Sequence, residues 1–369
     1  MNQNTLQKVI ENINNKTEYK SNIIESKNDE TEMKDKYKIN DTRKPNDMRT
    51  ETFSGYKKTE VKKQLLQNIL DSKIEQSCYW CAELICSGQF WDIWEIILEC
   101  CMKYIHTGLP KLPIYIQKCY DTFRNFILQN DENNEISLRN QQNVRDLFTE
   151  CMVVLCKAKK TLAMSIRKIE DDEDYNKLMY GNKLLATSKD FLKGVFKKAD
   201  PNELVIPMNE LCYHISYEYR NSYHAIYWIE WFIKYEQKYI KEKKMFMCGE
   251  RSICYDDKSK YDIVWILFSI FFNEIEKRKE KNTETIKLIE KIIDSIYFIF
   301  CLRYQKSVIR KRRYLLYFCA FLLCDKLDYT VNLIEDKDLL DRVKTRGNLV
   351  YAEIKKSELE PDFNYLQIY

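Results

Sequence analysis

The sequence predicts an all-α protein of stacked helical hairpins, an irregular solenoid or a two-layer helical bundle, behind a disordered N-terminal tail. Three observations lead there. Glycine and proline number only 7 and 6 among 369 residues, against average usage of roughly 7% and 5%, so the turn chemistry of β-hairpins and phosphate loops is scarce. Apolar side chains recur every three to four positions over long stretches, the period of a helix face. Finally, two similar stretches, Ser77-Cys78-Tyr79-Trp80-Cys81-Ala82-Glu83 and Ala225-Ile226-Tyr227-Trp228-Ile229-Glu230-Trp231, place Tyr-Trp dipeptides 148 positions apart. Each follows a shorter apolar-periodic segment, so the natural unit is a pair of packed helices.

Residues 1–58 carry 12 basic and 10 acidic side chains with almost no apolar periodicity, too little to offset the entropy of ordering. A flexible tether is expected there. From Thr59, Val61, Leu65, Leu66, Ile69 and Leu70 mark a helix. Ser72 and Glu75 then have the spacing of a capping box for the next helix, which Ser87-Gly88 closes. A third helix carries Trp91, Trp94, Ile97, Leu98, Cys101 and Ile105 and stops at Gly108. Pro113 suits the start of a helix through Leu128, and another is expected over Val144 to Lys160. The acidic run Glu170–Asp174 reads as a linker between an N-terminal subdomain, 59–168, and a C-terminal one, 175–358. The latter is expected to hold helices near 189–198, 208–219, 222–243, 261–277, 283–302, 305–325 and 337–346, with a frayed tail from Pro361.

The formal charge of +4 comes from 60 basic and 56 acidic residues, so no global field favours a polyanion. Residues 1–30 are polar, unlike a secretory leader, and the 14 cysteines are expected to be reduced and intracellular. The longest apolar runs, Ile263–Phe272 and Tyr314–Cys324, have about half of the roughly 20 residues that a membrane span needs. Both are expected to be core helices.

Most cysteine pairs fall three to five apart within helices, where thiols act as small hydrophobes. The Cys78-Tyr79-Trp80-Cys81 element lies mid-helix, not at the helix N-terminus that lowers a redox thiol's pKa. Cys248 and Cys254 form the one loop pair that zinc could use, with His214 or His224, yet no second knuckle completes four ligands. No metal or cofactor is therefore expected. Nucleophile elbows and Gly-rich phosphate loops are absent from the sequence, and paired carboxylates such as Asp171 and Asp172 sit in a charge run. A catalytic reading would need a pocket built from distant residues such as His214, Glu230 and Arg303. The single local electrostatic signal is Arg303, Lys306, Arg310 and Arg313, spaced as one helical stripe, with Lys311 and Arg312 beside it. Such a stripe fits a nucleic acid, an acidic protein partner or a plain solvated face. Tyr217, Tyr219, Tyr223 and Tyr227 could stack on bases near it.

Taken together, Tyr79-Trp80 with Glu83-Leu84 and Ser87-Gly88, Tyr213-His214, Tyr227 to Trp231, and Lys311-Arg312-Arg313-Tyr314-Leu315-Leu316-Tyr317 resemble an uncharacterised helical protein family of the giant nucleocytoplasmic DNA viruses, over about residues 60–330. The resemblance implies a place in the infected cell, in host cytoplasm or virus factory, and in the virion, and it brings no activity. A shorter likeness, of the Tyr-Trp helix, is to the oligomerisation part of clamp-loader-like ATPases, whose nucleotide loop this chain lacks. The expected function is non-enzymatic: a scaffold that works through protein contacts, with nucleic-acid binding through the Arg303–Arg313 stripe as the alternative.

Overall fold

The computed structural model describes residues 36–129, 135–166, 169, 180–243, 247–252, 257, 259–280, 283–334 and 336–359. Among these the fold is all-α, with eleven α-helices and no strand. In chain order they are α1 (Lys58–Leu70), α2 (Ile74–Cys86), α3 (Phe90–Glu99), α4 (Leu112–Leu128), α5 (Gln142–Lys157), α6 (Val205–Ile215), α7 (Ser222–Lys241), α8 (Val264–Lys279), α9 (Glu284–Cys301), α10 (Val308–Cys324) and α11 (Lys337–Lys355). None is long and apolar enough to cross a membrane.

Two compact units emerge: the described residues within 1–100, 118–160 and 332–369, and those within 101–117 and 161–331. The partition is not the sequential one expected at Glu170–Asp174, a run that lies outside the described residues. Helix α11 joins the first unit because Lys344 pairs with Glu150 at 3.0 Å, Arg346 with Glu75 at 3.2 Å, and the Arg145 guanidinium lies 3.8 Å from the Tyr351 ring centre. It also runs nine residues beyond the expected end at Arg346.

In the first unit, Phe90, Trp94, Phe123 and Phe148 form an aromatic cluster with centroids 5.3–6.0 Å apart. Such offset and edge-on pairs add about 0.5–1.5 kcal/mol each beyond area burial. Of the expected tail, residues 1–35 lie outside the described residues, whereas 36–57 are ordered against this unit. Ile39 exchanges two 2.8 Å hydrogen bonds with the Asn140 side chain, Arg145 donates to the Tyr37 carbonyl at 3.0 Å, and the Phe53 amide donates to Ser87 Oγ at 2.8 Å. Isolated anchors such as Ile39 and Phe53 carry no period, so periodicity misses a segment held by single side chains and borrowed hydrogen bonds.

Ser72 does not cap α2. Its backbone is left-handed, φ 60°, and its hydroxyl donates to the Cys156 carbonyl at 2.8 Å. Gly88 does close α2, with φ 69°, and a Cβ there would meet Pro45 Cγ at 2.9 Å. The third expected helix splits: α3 ends at Glu99, a π turn spans Cys100–Ile105, and His106–Gly108 is a 3-10 turn. Near 189–198 only a 3-10 turn, Asp190–Leu192, forms.

Several helices end on a cation instead of a glycine. Arg139 donates to the Cys86 carbonyl of α2 at 3.2 Å, and Lys160 to Leu155 and Cys156 of α5 at 2.8 and 2.7 Å. In the second unit, Arg278 donates to Ile215 of α6 at 2.6 Å and Leu323 of α10 at 2.8 Å, and Arg312 donates to Phe300 and Leu302, at the end of α9, at 2.6 Å each. The last carbonyls of a helix lack intrahelical partners and carry partial negative charge, so a guanidinium satisfies both needs at once. With seven glycines in the chain, buried Arg and the half-buried Lys160 take over part of the capping work.

The core of the second unit gathers Trp228, Phe232, Trp265, Phe268, Phe271, Phe300 and Phe318, all under 2% exposed. Helix α7 packs on α6 and α10, while α8, α9 and α10 pack pairwise.

Candidate functional site

Helices α7 and α10 each turn one side to the core and leave a second face with the helical spacing i, i+3, i+4, i+7. On α7 that face is Glu230, Ile233, Lys234 and Gln237, and on α10 it is Arg310, Arg313, Tyr314 and Tyr317. The two faces meet in a pocket of about 290 Å³. Met164, Ser165 and Ile166 form its third wall. That extended segment is pinned to the π turn by Thr161 N–H to the Tyr104 carbonyl and Ala163 N–H to the Lys103 carbonyl, both 2.7 Å.

His106 fixes α10 from behind. Its Nε2 lies 3.1 Å from the Tyr314 carbonyl, and its ring packs tilted against Phe318 with centroids 4.6 Å apart. A carbonyl can only accept, so Nε2 carries the proton. Burial pushes the His106 pKa down to about 4, against the pull of the Tyr314 carbonyl. The ring is therefore neutral at pH 7.

Inside the pocket, Glu230 Oε1 accepts from the Tyr317 hydroxyl and lies 3.3 Å from Arg313 Nε. Arg313 also donates to its own helix at the Arg310 carbonyl, 2.9 Å, and to the Tyr314 hydroxyl oxygen, 3.0 Å. Burial works most strongly against the Arg313 charge, but Glu230, Tyr314 and Tyr317 together outweigh it and the pKa is raised. Burial, then the adjacent Glu230 charge, pushes the Tyr317 phenol up, so it stays a donor. Lys234 and Arg310 stand at the wall with no carboxylate within 4 Å among the described residues. Among the described residues the lining thus holds three cations against one carboxylate.

The predicted stripe is dispersed. Arg303 lies in the turn after α9 with φ 45°, so it and Lys306 are not in helical register with α10. Lys306 bridges Glu236 at 2.8 Å and Asp262 at 3.1 Å, carboxylates that raise its pKa in spite of burial. Arg312 points inward onto α9, and Arg313 faces Glu230. Arg310 and Lys311 remain exposed on α10, as does Arg303 before it. Of the residues considered for catalysis, Glu230 lines the pocket, while His214 and Arg303 do not. His214 is buried, 3.6 Å from Glu210, with its ring stacked on His224 at 4.8 Å.

Cys254 lies outside the described residues. Cys248 is buried, its amide donating to the Tyr261 carbonyl at 3.1 Å, and burial raises its thiol pKa. The described residues contain no group of three His, Cys, Asp or Glu placed to hold a metal. Tyr217, Tyr219 and Tyr223 are exposed around the α6–α7 turn, and Arg220 stacks 3.8 Å over Tyr217. Tyr227 instead accepts from Lys183 at 3.0 Å. None of the four lines the pocket.

Sequence reasoning missed Lys234, Tyr314 and Tyr317 as site residues. Their signal was a polar face on each helix, with Glu230, Lys234 and Gln237 on α7 and cations mixed with tyrosines on α10, but which helix faces which is not written in either one. No protein-family model, curated protein or solved structure matches this chain.

Proposed function

We propose that this chain is a non-enzymatic helical binding protein, acting by contact, and that the α7–α10 pocket is where it recognises a negatively charged group on a protein partner. The observation that carries the reading is the imbalance of Lys234, Arg310 and Arg313 against Glu230 in a recess between two helices. Recesses between packed helices are where helical proteins build their ligand sites. Support for a contact role also comes from the reactive side chains. The pocket lining includes no cysteine or histidine among the described residues, and the thirteen described thiols are buried.

A polynucleotide partner has weaker support, because Lys306 and Arg312 are engaged within the protein and Arg313 is turned into the pocket, which interrupts the row of cations along the stripe. The proposed setting, following the resemblance, is the cytoplasm, virus factory or virion of a large DNA virus. The test is affinity purification of the full chain from infected cells with mass spectrometry, beside a variant carrying Lys234→Glu and Arg310→Glu. Partners retained by the natural chain and lost by the variant are the expected result. Identical partner sets would remove the pocket from the reading.

A further inference from the structure

Resting on that reading of the pocket as a recognition point, we infer that the α7–α10 pocket is a receptor for a single phosphate monoester carried on a short apolar or aromatic stem. Charge comes first. Among the described residues of the lining, three cations and one carboxylate leave two positive charges in excess. A phosphate monoester carries about −1.5 to −2 at pH 7, whereas a carboxylate or a phosphodiester carries one negative charge and would leave the site unbalanced.

Geometry comes second. Glu230 holds Arg313 through Nε, and the Arg310 carbonyl and the Tyr314 hydroxyl each take one further proton of its guanidinium. The fork is therefore oriented before any ligand arrives, and one proton on each terminal nitrogen remains to be given. Planar, fixed guanidinium donors suit phosphate oxygens, whose charge-assisted hydrogen bonds are about twice as strong as neutral ones. Tyr314, accepting from Arg313, keeps its own hydroxyl proton to donate. Lys234 and Arg310, from opposite helices, supply mobile point charges at the wall.

Shape comes third. Ile166 and Ile233 give the recess apolar surface beside the cations. At about 290 Å³ it has room for a phosphoryl group with one ring or short chain. Glu230 has a positioning role here: it sets Arg313 and lowers the net charge without touching the ligand.

The same chemistry is offered by a phosphorylated side chain of a partner and by a free phosphorylated small molecule. Isothermal titration calorimetry of the full chain at pH 7.5 with phenyl phosphate, with benzenesulfonate, and with a phosphotyrosine peptide and its unphosphorylated form separates the cases. Phenyl phosphate should bind roughly tenfold or more tightly than benzenesulfonate, a monoanion of similar shape. Arg310→Gln and Lys234→Gln should each weaken phenyl phosphate roughly tenfold. Glu230→Gln keeps an acceptor for Arg313 and Tyr317 while removing the opposing charge, so it should tighten binding several-fold. A merely structural Glu230 would not improve binding on losing its charge.

The peptide binding well above phenyl phosphate assigns the group to a protein partner, and equal affinity assigns it to a free ester. Equal binding of benzenesulfonate, no binding of phenyl phosphate, weakening by Glu230→Gln in a chain with an unchanged melting curve, or equal competition by a 5′-hydroxyl oligonucleotide overturns the inference. Loss of phosphate binding with charge-dependent partner capture retained defeats this inference alone. Loss of that capture defeats the broader reading.

Discussion

Acidification from pH 7.5 to 5 should cost the folded protein about 2 kcal/mol through His106 alone. The imidazole is 1% exposed, packed on Phe318 and Phe321, and its pKa falls from 6.5 to about 4 in the fold. A histidine with a depressed folded pKa binds its proton more readily when unfolded, so stability is at its full value above about pH 6.5 and is lost as the pH falls toward 4. The slope in that window approaches about 1.4 kcal/mol per pH unit. Taking 6.5 unfolded and 4 folded, the integrated loss at pH 5 is about 2 kcal/mol.

Urea denaturation of the natural chain and of His106→Phe, each at pH 7.5, 6, 5.5 and 5, isolates this contribution. His224, whose pKa burial also lowers, and Glu83 and Glu274, whose pKa burial raises, are common to both chains and cancel in the difference. The variant is expected to start less stable, having lost the bond to the Tyr314 carbonyl, and to lose about 2 kcal/mol less on acidification. Parallel profiles would refute the argument that the ring is buried neutral behind α10.

Arg312→Met should cost about 2–4 kcal/mol in thermal or urea unfolding, because two carbonyls at the end of α9 lose a charged donor. A loss below about 0.5 kcal/mol would deny the capping role. Lys306→Met should cost about 3 kcal/mol by stranding Glu236, whose side chain is 4% exposed. Adding Glu236→Gln should recover part of that loss, and a purely additive double variant would refute the coupling. Trp228→Ala should cost about 3–5 kcal/mol, the cavity left in the second unit's core being large. The thirteen described thiols should react with a disulfide reagent only after denaturant is added, since burial hides them and raises their pKa values where a shift is resolved. Rapid reaction of several thiols in the native chain would contradict that.

Much of the fold was legible because an amphipathic helix writes its period into the chain. Helices α7, α8, α9 and α10 lie within three residues of their expected bounds at each end, and the Tyr-Trp dipeptides mark buried helices in both places, with edge-on rings 5.2 and 5.1 Å apart. What escaped was structure without a period. Residues 36–57 hang on single anchors, Ser72 serves a turn and not a cap, and α11 joins the first unit through contacts with residues such as Glu75, Arg145 and Glu150. The site was half legible: the cations of α10 stood out, but a spacing of 3, 4 and 3 cannot tell a solvated arginine from one folded inward.

By itself, then, the sequence determined the class of the protein, the position of most helices and the burial of its helical cysteines and most of its tryptophans, since each follows from local spacing and side-chain polarity. Only tertiary structure decided the fate of its charges. Arg278 and Arg312 became helix caps, Lys306 became one end of a partly buried ion bridge, and Arg310, Arg313 and Lys234 were gathered into one pocket. The physical reason is that an ion's role depends on which carbonyl, carboxylate or open recess lies within about 4 Å of it, and such neighbours come from segments far apart in the chain.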